Sequence, residues 1–252
     1  MFEYSAPLDL LTDRTILITG ASDGIGKVCA KIFADHGASV ILLGRTQSKL
    51  EQVYDEIEAQ HPGRVIIHPL DFSVATMEDY QVLASSLDEQ FDCLDGLLHN
   101  AALLGIRSPI EFYPDQQWRE LMQVNVNAAF YLTKALLPAL SRSTDARLIF
   151  TSSSVGRVSR AYWGAYAVSK FAIEGLMQTL ADELRNTTSI RVNSLNPGGT
   201  RTNMRRDAYP AEDPATQPTA ASLMPVYLYL MSPDARSLHG QAINVRDFNP
   251  GK

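Results

Sequence analysis

Seven short apolar runs are spaced along the 252-residue chain, and longer segments with helical spacing separate them. The runs read RTILIT, ASVILL, RVIIHPL, LDGLLHN, ARLIFTS, IRVNSLN and QAINV. The helical segments include Lys49 to Gln60, Met77 to Leu87, Trp118 to Leu140, Ala165 to Arg185 and Ala220 to Met231. Apolar strands that alternate with helices form parallel sheets covered on both faces. The alternation predicts one α/β domain over residues 1–252, a doubly wound parallel sheet of about seven strands.

The charge balance restricts the partners of the chain. Its 28 acidic and 22 basic side chains give a net charge of -6, which offers no general attraction to nucleic acid or to anionic membranes. The N-terminal stretch MFEYSAPLDLLTDR lacks the features of a signal peptide, and no apolar run has the length of a membrane span. The two cysteines, Cys29 and Cys93, lack metal-binding spacing. We expect a cytoplasmic protein with a small-molecule partner.

A glycine-rich turn, TGASDGIG, follows the first predicted strand and precedes a helix. Gly20, Gly24 and Gly26 lack side chains, so backbone N–H groups can approach a pyrophosphate beside the positive end of the helix dipole. Glycine-rich turns are common and the spacing is not G-x-G-x-x-G, but the position after a first strand favours a dinucleotide site.

The second strand ends in VILLGRT, where an NAD-binding enzyme would usually carry a carboxylate for the ribose 2′-OH. Gly44 and Arg45 stand there instead, and Arg45 could bind a 2′-phosphate. This predicts NADP(H) over NAD(H), although Asp23 in the first turn opposes an added phosphate. The alternative is a solvated arginine at a strand end.

Two polar residues end the third and fourth strands. Asp71 could accept a hydrogen bond from an adenine amino group, or it could cap a helix. Asn100 could fix the backbone at the end of the fourth strand. The adjacent His99 is interpreted as structural, because no second ligand at suitable spacing supports a metal site.

Tyr166 and Lys170 lie four residues apart in WGAYAVSKFA, so a helix would direct both side chains to one site. An ammonium beside a phenol lowers the phenol pKa and suits it to acid/base catalysis of carbonyl/alcohol interconversion. The alternative is an amphipathic helix with an interfacial tyrosine and an exposed lysine. The strand end LIFTSSSVG favours catalysis, because it supplies hydroxyls at Ser152, Ser153 and Ser154 for the substrate oxygen. Serine hydrolysis is not expected, since G-x-S-x-G is absent and His239 is the only histidine after Ser153.

The ordered motifs TGASDGIG, HNAA, MQVNVNAAF, TSSS, YAVSK and NPGGTRT resemble those of the short-chain dehydrogenase/reductase family. They run from about residue 14 to residue 245, and their wording is similar to that of the YciK-like bacterial oxidoreductases. The resemblance implies a Rossmann fold and an NADP(H)-dependent oxidoreductase acting on a carbonyl or alcohol. It implies a catalytic tetrad of Asn125, Ser153, Tyr166 and Lys170, in which Asn125 holds a water that links Lys170 to solvent. The implied cofactor-binding residues are Gly20, Ser22, Gly24, Ile25, Gly26, Arg45, Asp71, Asn100, Tyr166, Lys170 and Thr202.

The chain also departs from the pattern of this family. HNAA replaces the usual NNAG, which changes packing at His99 and Ala102. The usual C-terminal DGG is absent, so a homodimer through the two long helices is favoured over a homotetramer. A short segment at about residues 203–218 falls where relatives carry a substrate lid, and it is either a mobile lid or a truncated one that leaves the site open. The alternative function is a non-catalytic NADP(H)-binding sensor or scaffold.

Overall fold

β-Strands form at all seven apolar runs in the computed structural model, which describes residues 2–251. The strands are β1 (Thr15–Thr19), β2 (Ser39–Gly44), β3 (Val65–Pro69), β4 (Gly96–His99), β5 (Arg147–Thr151), β6 (Arg191–Asn196) and β7 (Ala242–Asn244). They pair in parallel in one sheet of order β3-β2-β1-β4-β5-β6-β7. The predicted doubly wound α/β fold with a seven-stranded parallel sheet is confirmed.

The helices lie between the strands, with boundaries close to those predicted. They are α1 (Gly24–Asp35), α2 (Gln47–Glu58), α3 (Met77–Asp88), α4 (Asp115–Met122), α5 (Ala128–Arg142), α6 (Gly164–Leu184), α7 (Asn203–Ala208) and α8 (Met224–Met231). The helix predicted from Trp118 to Leu140 contains a π-helical turn at Gln123–Asn127 between α4 and α5. The helix predicted from Ala220 begins as a 3-10 turn, and α8 starts only where Pro225 can occupy its first turn.

Alternate residues of each strand point to opposite faces of the sheet, so the buried strands support two separate cores. On one face Ile16 and Ile18 pack in a cluster with Phe33 of α1 and Tyr227 of α8. On the other face Leu17 belongs to a cluster formed mainly with α3, α5 and α6. Helices cover both faces, as the continuous apolar runs predict.

The central strand β1 lies between β2 and β4, so the chain reverses its direction of winding there. In open α/β sheets this switch point leaves a crevice at the carboxyl ends of the strands. Within residues 2–251, no helix combines the length and the apolar character needed to cross a membrane.

Candidate active site

The glycine-rich turn leaves β1 in a conformation that side chains oppose. Gly20 and Gly24 have φ of +66° and +52°, in the left-handed region that favours glycine. A Cβ atom on Gly26 would lie 2.3 Å from the carbonyl oxygen of Gly20. The turn therefore folds tightly against the first turn of α1, with its backbone near the crevice.

Hydrogen bonds from β4 hold this turn in place. The side-chain amide of Asn100 donates to the carbonyl oxygens of Thr19 (3.2 Å) and Gly20 (3.4 Å). The Thr19 hydroxyl in turn accepts from the backbone N–H groups of Asn100 and Ala101, each at 2.9 Å. Asn100 thus holds the backbone of the turn, as predicted, and Thr19 shares this role although no sequence motif indicates it.

A cavity of about 470 Å³ occupies the crevice. The predicted site residues that line it are Gly20, Ser22, Gly24, Ile25, Arg45, Asp71, Asn100, Ser153, Tyr166, Lys170 and Thr202. Gly26 lies behind the turn and Asn125 borders a second, buried cavity of about 10 Å³. The fold therefore gathers residues from the whole chain at one site.

One end of the cavity is polar and cationic. Arg45 and Lys49 both line it and both are exposed. Thr46, which also lines the cavity, precedes α2 and makes no side-chain cap. The first backbone N–H groups of α2 therefore donate no hydrogen bond to the Thr46 side chain. Lys49 was missed in the sequence, because a lysine in the first turn of a helix is unremarkable until Arg45 is seen beside it.

Asp71 lines the same end of the cavity. One of its carboxylate oxygens accepts hydrogen bonds from the backbone N–H and the hydroxyl of Ser73, at 2.9 and 2.7 Å. Thr76, and not Asp71, precedes α3. The alternative of a helix cap at Asp71 is therefore wrong, and the residue closes a local turn.

Tyr166, Lys170 and Ser153 meet at the centre of the cavity lining. Tyr166 is 8% exposed and Lys170 is 4% exposed. The Lys170 Nζ atom lies 5.6 Å from the centre of the Tyr166 ring and donates a 2.7 Å hydrogen bond to the carbonyl oxygen of Thr151. The alternative of an exposed helical lysine is wrong, because both side chains point into the crevice from α6.

The predicted lowering of the Tyr166 pKa is corrected by the structure. Burial raises the pKa of Tyr166 to about 12, and only the Ser153 hydroxyl acts in the opposite direction. Burial also lowers the pKa of Lys170 to about 8, partly offset by the Glu174 carboxylate. Desolvation outweighs the Ser153 hydrogen bond, so Tyr166 is a neutral phenol at neutral pH.

Asn125 lies in the π-helical turn between α4 and α5 and is buried. Its side-chain oxygen accepts from the Leu103 N–H at 2.7 Å, while its amide nitrogen donates to the Leu103 carbonyl at 2.9 Å and to Ser169 Oγ at 3.1 Å. Both amide hydrogens and one lone pair of the side-chain oxygen are thus engaged by protein atoms. Asn125 therefore connects the loop after β4 with α6, which it contacts at Ser169, one residue before Lys170.

A buried carboxylate, Glu174, lies one helical turn beyond Lys170 and was not predicted. It accepts hydrogen bonds from Ser152 Oγ (2.5 Å) and Ser194 Oγ (2.7 Å) and an ion-paired contact from Arg157 Nε (3.1 Å). Ser152 and Arg157 flank the segment that carries Ser153. Glu174 therefore ties that segment and the end of β6 to α6.

His99 is buried between strand and helix. Its Nε2 atom lies 2.8 Å from Thr133 Oγ1, and its ring stacks on Phe150 at 4.7 Å. Burial, with the nearby Lys170, lowers the pKa of His99 to about 3, so the imidazole is neutral. These packing contacts agree with the structural role expected from the sequence.

The lid segment, residues 203–218, is folded over the cavity. Its α7 helix begins at Asn203 and is capped by Thr202, whose hydroxyl accepts from the Arg205 N–H at 3.2 Å; the Asn203 side chain donates to Asp23 at 2.8 Å. Arg205 binds Glu212 through two hydrogen bonds of 2.6 and 2.7 Å. The lid is therefore ordered by its own ion pair, and Arg205 is engaged with protein.

Comparison with known proteins agrees with this geometry. Residues 14–213 match the family described as short chain dehydrogenase. The chain is 51% identical over 249 residues to the Escherichia coli K12 oxidoreductase YciK, covering 99% of this chain and 97% of YciK. This confirms the predicted resemblance to the YciK-like oxidoreductases.

Two solved structures illustrate the structural similarity. A Shigella flexneri short chain dehydrogenase complexed with NADP is 50% identical, with a TM-score of 0.93 over 95% of this chain and 100% of that one. A short chain dehydrogenase from E. coli CFT073 complexed with NADPH is 51% identical, with a TM-score of 0.93 over 95% of this chain and 99% of that one.

Proposed function

The chain belongs to the short-chain dehydrogenase/reductase family of oxidoreductases, and on this basis we propose that it uses NADP(H) to interconvert a carbonyl and a secondary alcohol. The observation that carries the proposal is the buried group of Tyr166, Lys170 and Ser153 in the cavity that the glycine turn borders. A sheltered phenol, an ammonium and a hydroxyl match what proton transfer to a carbonyl oxygen requires.

The residues present fit a dinucleotide that carries a 2′-phosphate. Gly26 has no room for a Cβ atom, which keeps backbone N–H groups accessible at the start of α1. Arg45 and Lys49 supply two cations at the polar end of the cavity, and no acidic residue replaces Arg45 after β2. The NADP and NADPH complexes of the Shigella and E. coli relatives support the same cofactor for this chain.

Each side chain then has one task. The nicotinamide cofactor supplies or accepts the hydride when it is bound. Ser153 donates a hydrogen bond to the substrate oxygen and orients it. Tyr166 gives its proton to that oxygen as the carbonyl becomes an alcohol, and the ammonium of Lys170 stabilises the phenolate that Tyr166 leaves behind.

Proton return to Tyr166 runs through Lys170 in this proposal. The buried cavity of about 10 Å³ is bordered by Lys170, Asn125 and Thr151, and is about the size of one water molecule. Asn125 donates both of its amide hydrogens to protein atoms, which leaves its backbone and the second lone pair of its Oδ1 atom to contact a water there. Asn125 then acts as a positioning residue that keeps this space open.

The protonation state of Tyr166 suits proton donation, as carbonyl reduction requires. The pKa of Tyr166, raised to about 12 by burial, keeps the phenol protonated and ready to donate. Oxidation of an alcohol would need the phenolate, which burial disfavours. We therefore propose an NADPH-dependent carbonyl reductase of the cytoplasm.

Exposed apolar side chains on two long helices support a homo-oligomer. Phe130 on α5 and Val168 and Phe171 on α6 are 46%, 43% and 44% exposed. Val168 and Phe171 are three residues apart and lie on one face of α6. We propose that a second copy of the chain covers these residues, in a homodimer or homotetramer.

A direct assay tests the proposed function. NADPH oxidation is followed by the loss of absorbance of the reduced nicotinamide ring, with a panel of ketones and aldehydes. Carbonyl-dependent oxidation by the wild type, absent in Tyr166→Phe, is expected. If wild type and Tyr166→Phe bind NADPH equally and neither oxidises it in the presence of a carbonyl compound, a sensor or scaffold would be favoured.

A further inference from the structure

Resting on the proposed function, we infer that the substrate end of the cavity selects ketones or aldehydes that carry an aromatic group. This end is bounded by an aromatic wall, defined as Trp163, Tyr166 and Tyr209, which lines the cavity beside Ser153. The wall combines the proposed proton donor with two further rings, so a substrate held by Tyr166 also meets aromatic surface.

The three rings form a continuous surface. The ring centres of Trp163 and Tyr166 are 5.7 Å apart, and those of Trp163 and Tyr209 are 6.1 Å apart, each pair inclined by 49°. Tyr209 follows α7, so the lid segment contributes one ring and the region around α6 contributes the other two. Aromatic ligands gain from tilted and edge-to-face contacts at these separations.

Most of the residues packed around the aromatic wall are apolar. Leu103, Leu104, Val155, Met204 and Ala208 line the cavity and belong to the same hydrophobic cluster as the aromatic wall. A polar substrate body would lose its water here without gaining partners. Arg160 and Arg205 also line the cavity; Arg160 is exposed, and Arg205 is paired with Glu212.

Two arginines hold the wall in its shape. The Arg107 guanidinium lies 5.2 Å from the Trp163 ring centre and 5.0 Å from that of Tyr209, and donates a 2.7 Å hydrogen bond to the Ala208 carbonyl. Arg205 lies 3.8 Å from the Tyr209 ring centre while paired with Glu212. Rings fixed before binding lower the entropic cost of ligand association.

The test compares two ketones whose carbonyl groups are alike: 4-phenyl-2-butanone and 4-cyclohexyl-2-butanone, which differ in whether the distant ring is aromatic. Calorimetry measures the binding of each to the protein saturated with NADP⁺, in which no reduction takes place. The wild type should bind the phenyl ketone more tightly by about threefold or more, a ratio typical of aromatic pairing.

Variants assign the preference to the wall. Tyr209→Leu and Trp163→Leu should each reduce the affinity ratio towards one, while Phe112→Leu, at an exposed ring outside the cavity, should retain it. Retained NADP⁺ affinity verifies that each variant is folded. The inference is overturned if neither ketone binds, if the wild type shows no phenyl preference, or if both wall variants keep the ratio. A retained binding preference with no NADPH-dependent turnover would instead contradict only the proposed function.

Discussion

The ammonium of Lys170 donates a 2.7 Å hydrogen bond to the backbone carbonyl of Thr151, which joins α6 to the carboxyl end of β5. This bond holds the Lys170 side chain at Thr151, which immediately precedes the run Ser152 to Ser154 that contains Ser153. It also leaves a cation almost fully buried, at a cost that burial expresses in the lowered pKa of Lys170. The hydrogen bond thus orients the site, and the burial of Lys170 makes the site sensitive to pH.

The stability of the fold should depend on the titration of Lys170. Its pKa falls from 10.5 to about 8 on folding, so the folded state favours the neutral amine. The free-energy cost of burying the Lys170 ammonium is absent above pH 10.5, where the amine is neutral in both states. The cost appears as the pH falls towards about 8, and it is complete below that pH. The unfolding free energy of Lys170→Met minus that of wild type should therefore shrink by about 2 kcal/mol between about pH 7 and pH 10, measured by urea denaturation. Lys134→Met, at an exposed lysine of α5, should show a constant difference, and a constant difference for Lys170→Met would contradict the prediction.

Glu174 should be needed to hold the Ser153 segment. Glu174→Gln leaves the Arg157 guanidinium without its carboxylate and weakens the bonds to Ser152 and Ser194. We expect a loss of about 2 kcal/mol in unfolding free energy, and a further fall in the pKa of Lys170 visible in the pH profile of kcat. Glu183→Gln, at an exposed position of the same helix, is the matched control. Equal stability and an unchanged pH profile in the two variants would rule out this role.

Arg45 and Lys49 should determine the choice of dinucleotide. Arg45→Ala and Lys49→Ala each remove a cation from the polar end of the cavity, so NADPH affinity should fall by about tenfold while NADH affinity stays near its wild-type value. Fluorescence titration with both dinucleotides gives the two constants. Arg185→Ala removes an exposed arginine outside the cavity and should change neither. Equal losses for NADPH and NADH would show that these cations do not read the 2′-phosphate.

The exposed apolar residues of α5 and α6 should mediate self-association. A double variant, Phe130→Glu with Phe171→Glu, places charge in the proposed interface and should convert an oligomer to monomer in light scattering. Val158→Glu alters a residue that is 74% exposed outside these helices and should leave the mass unchanged. A monomeric wild type would contradict the homo-oligomer.

The fold was predictable because the central strands β1, β2, β4 and β5 are largely apolar and buried, which a sheet covered on both faces accommodates. The chemical groups at the strand ends were also readable, since Tyr166 and Lys170 lie four residues apart on one helix. The balance between burial and charge at Tyr166 was not readable, because desolvation depends on how closely α6 packs against β5. Glu174 and Thr19 carry no motif, and only their distances to Ser152, Arg157 and Asn100 reveal what they do.

The most direct measurement concerns the proton on Tyr166. Tyr166→Phe keeps the ring of the aromatic wall and removes only the hydroxyl. We therefore expect NADPH affinity to stay within about twofold of wild type while kcat for carbonyl reduction falls by about 100-fold or more. Calorimetric titration with NADPH and steady-state assays on one ketone supply both numbers. A variant that binds NADPH normally and keeps wild-type kcat would contradict the assignment of Tyr166 as the proton donor.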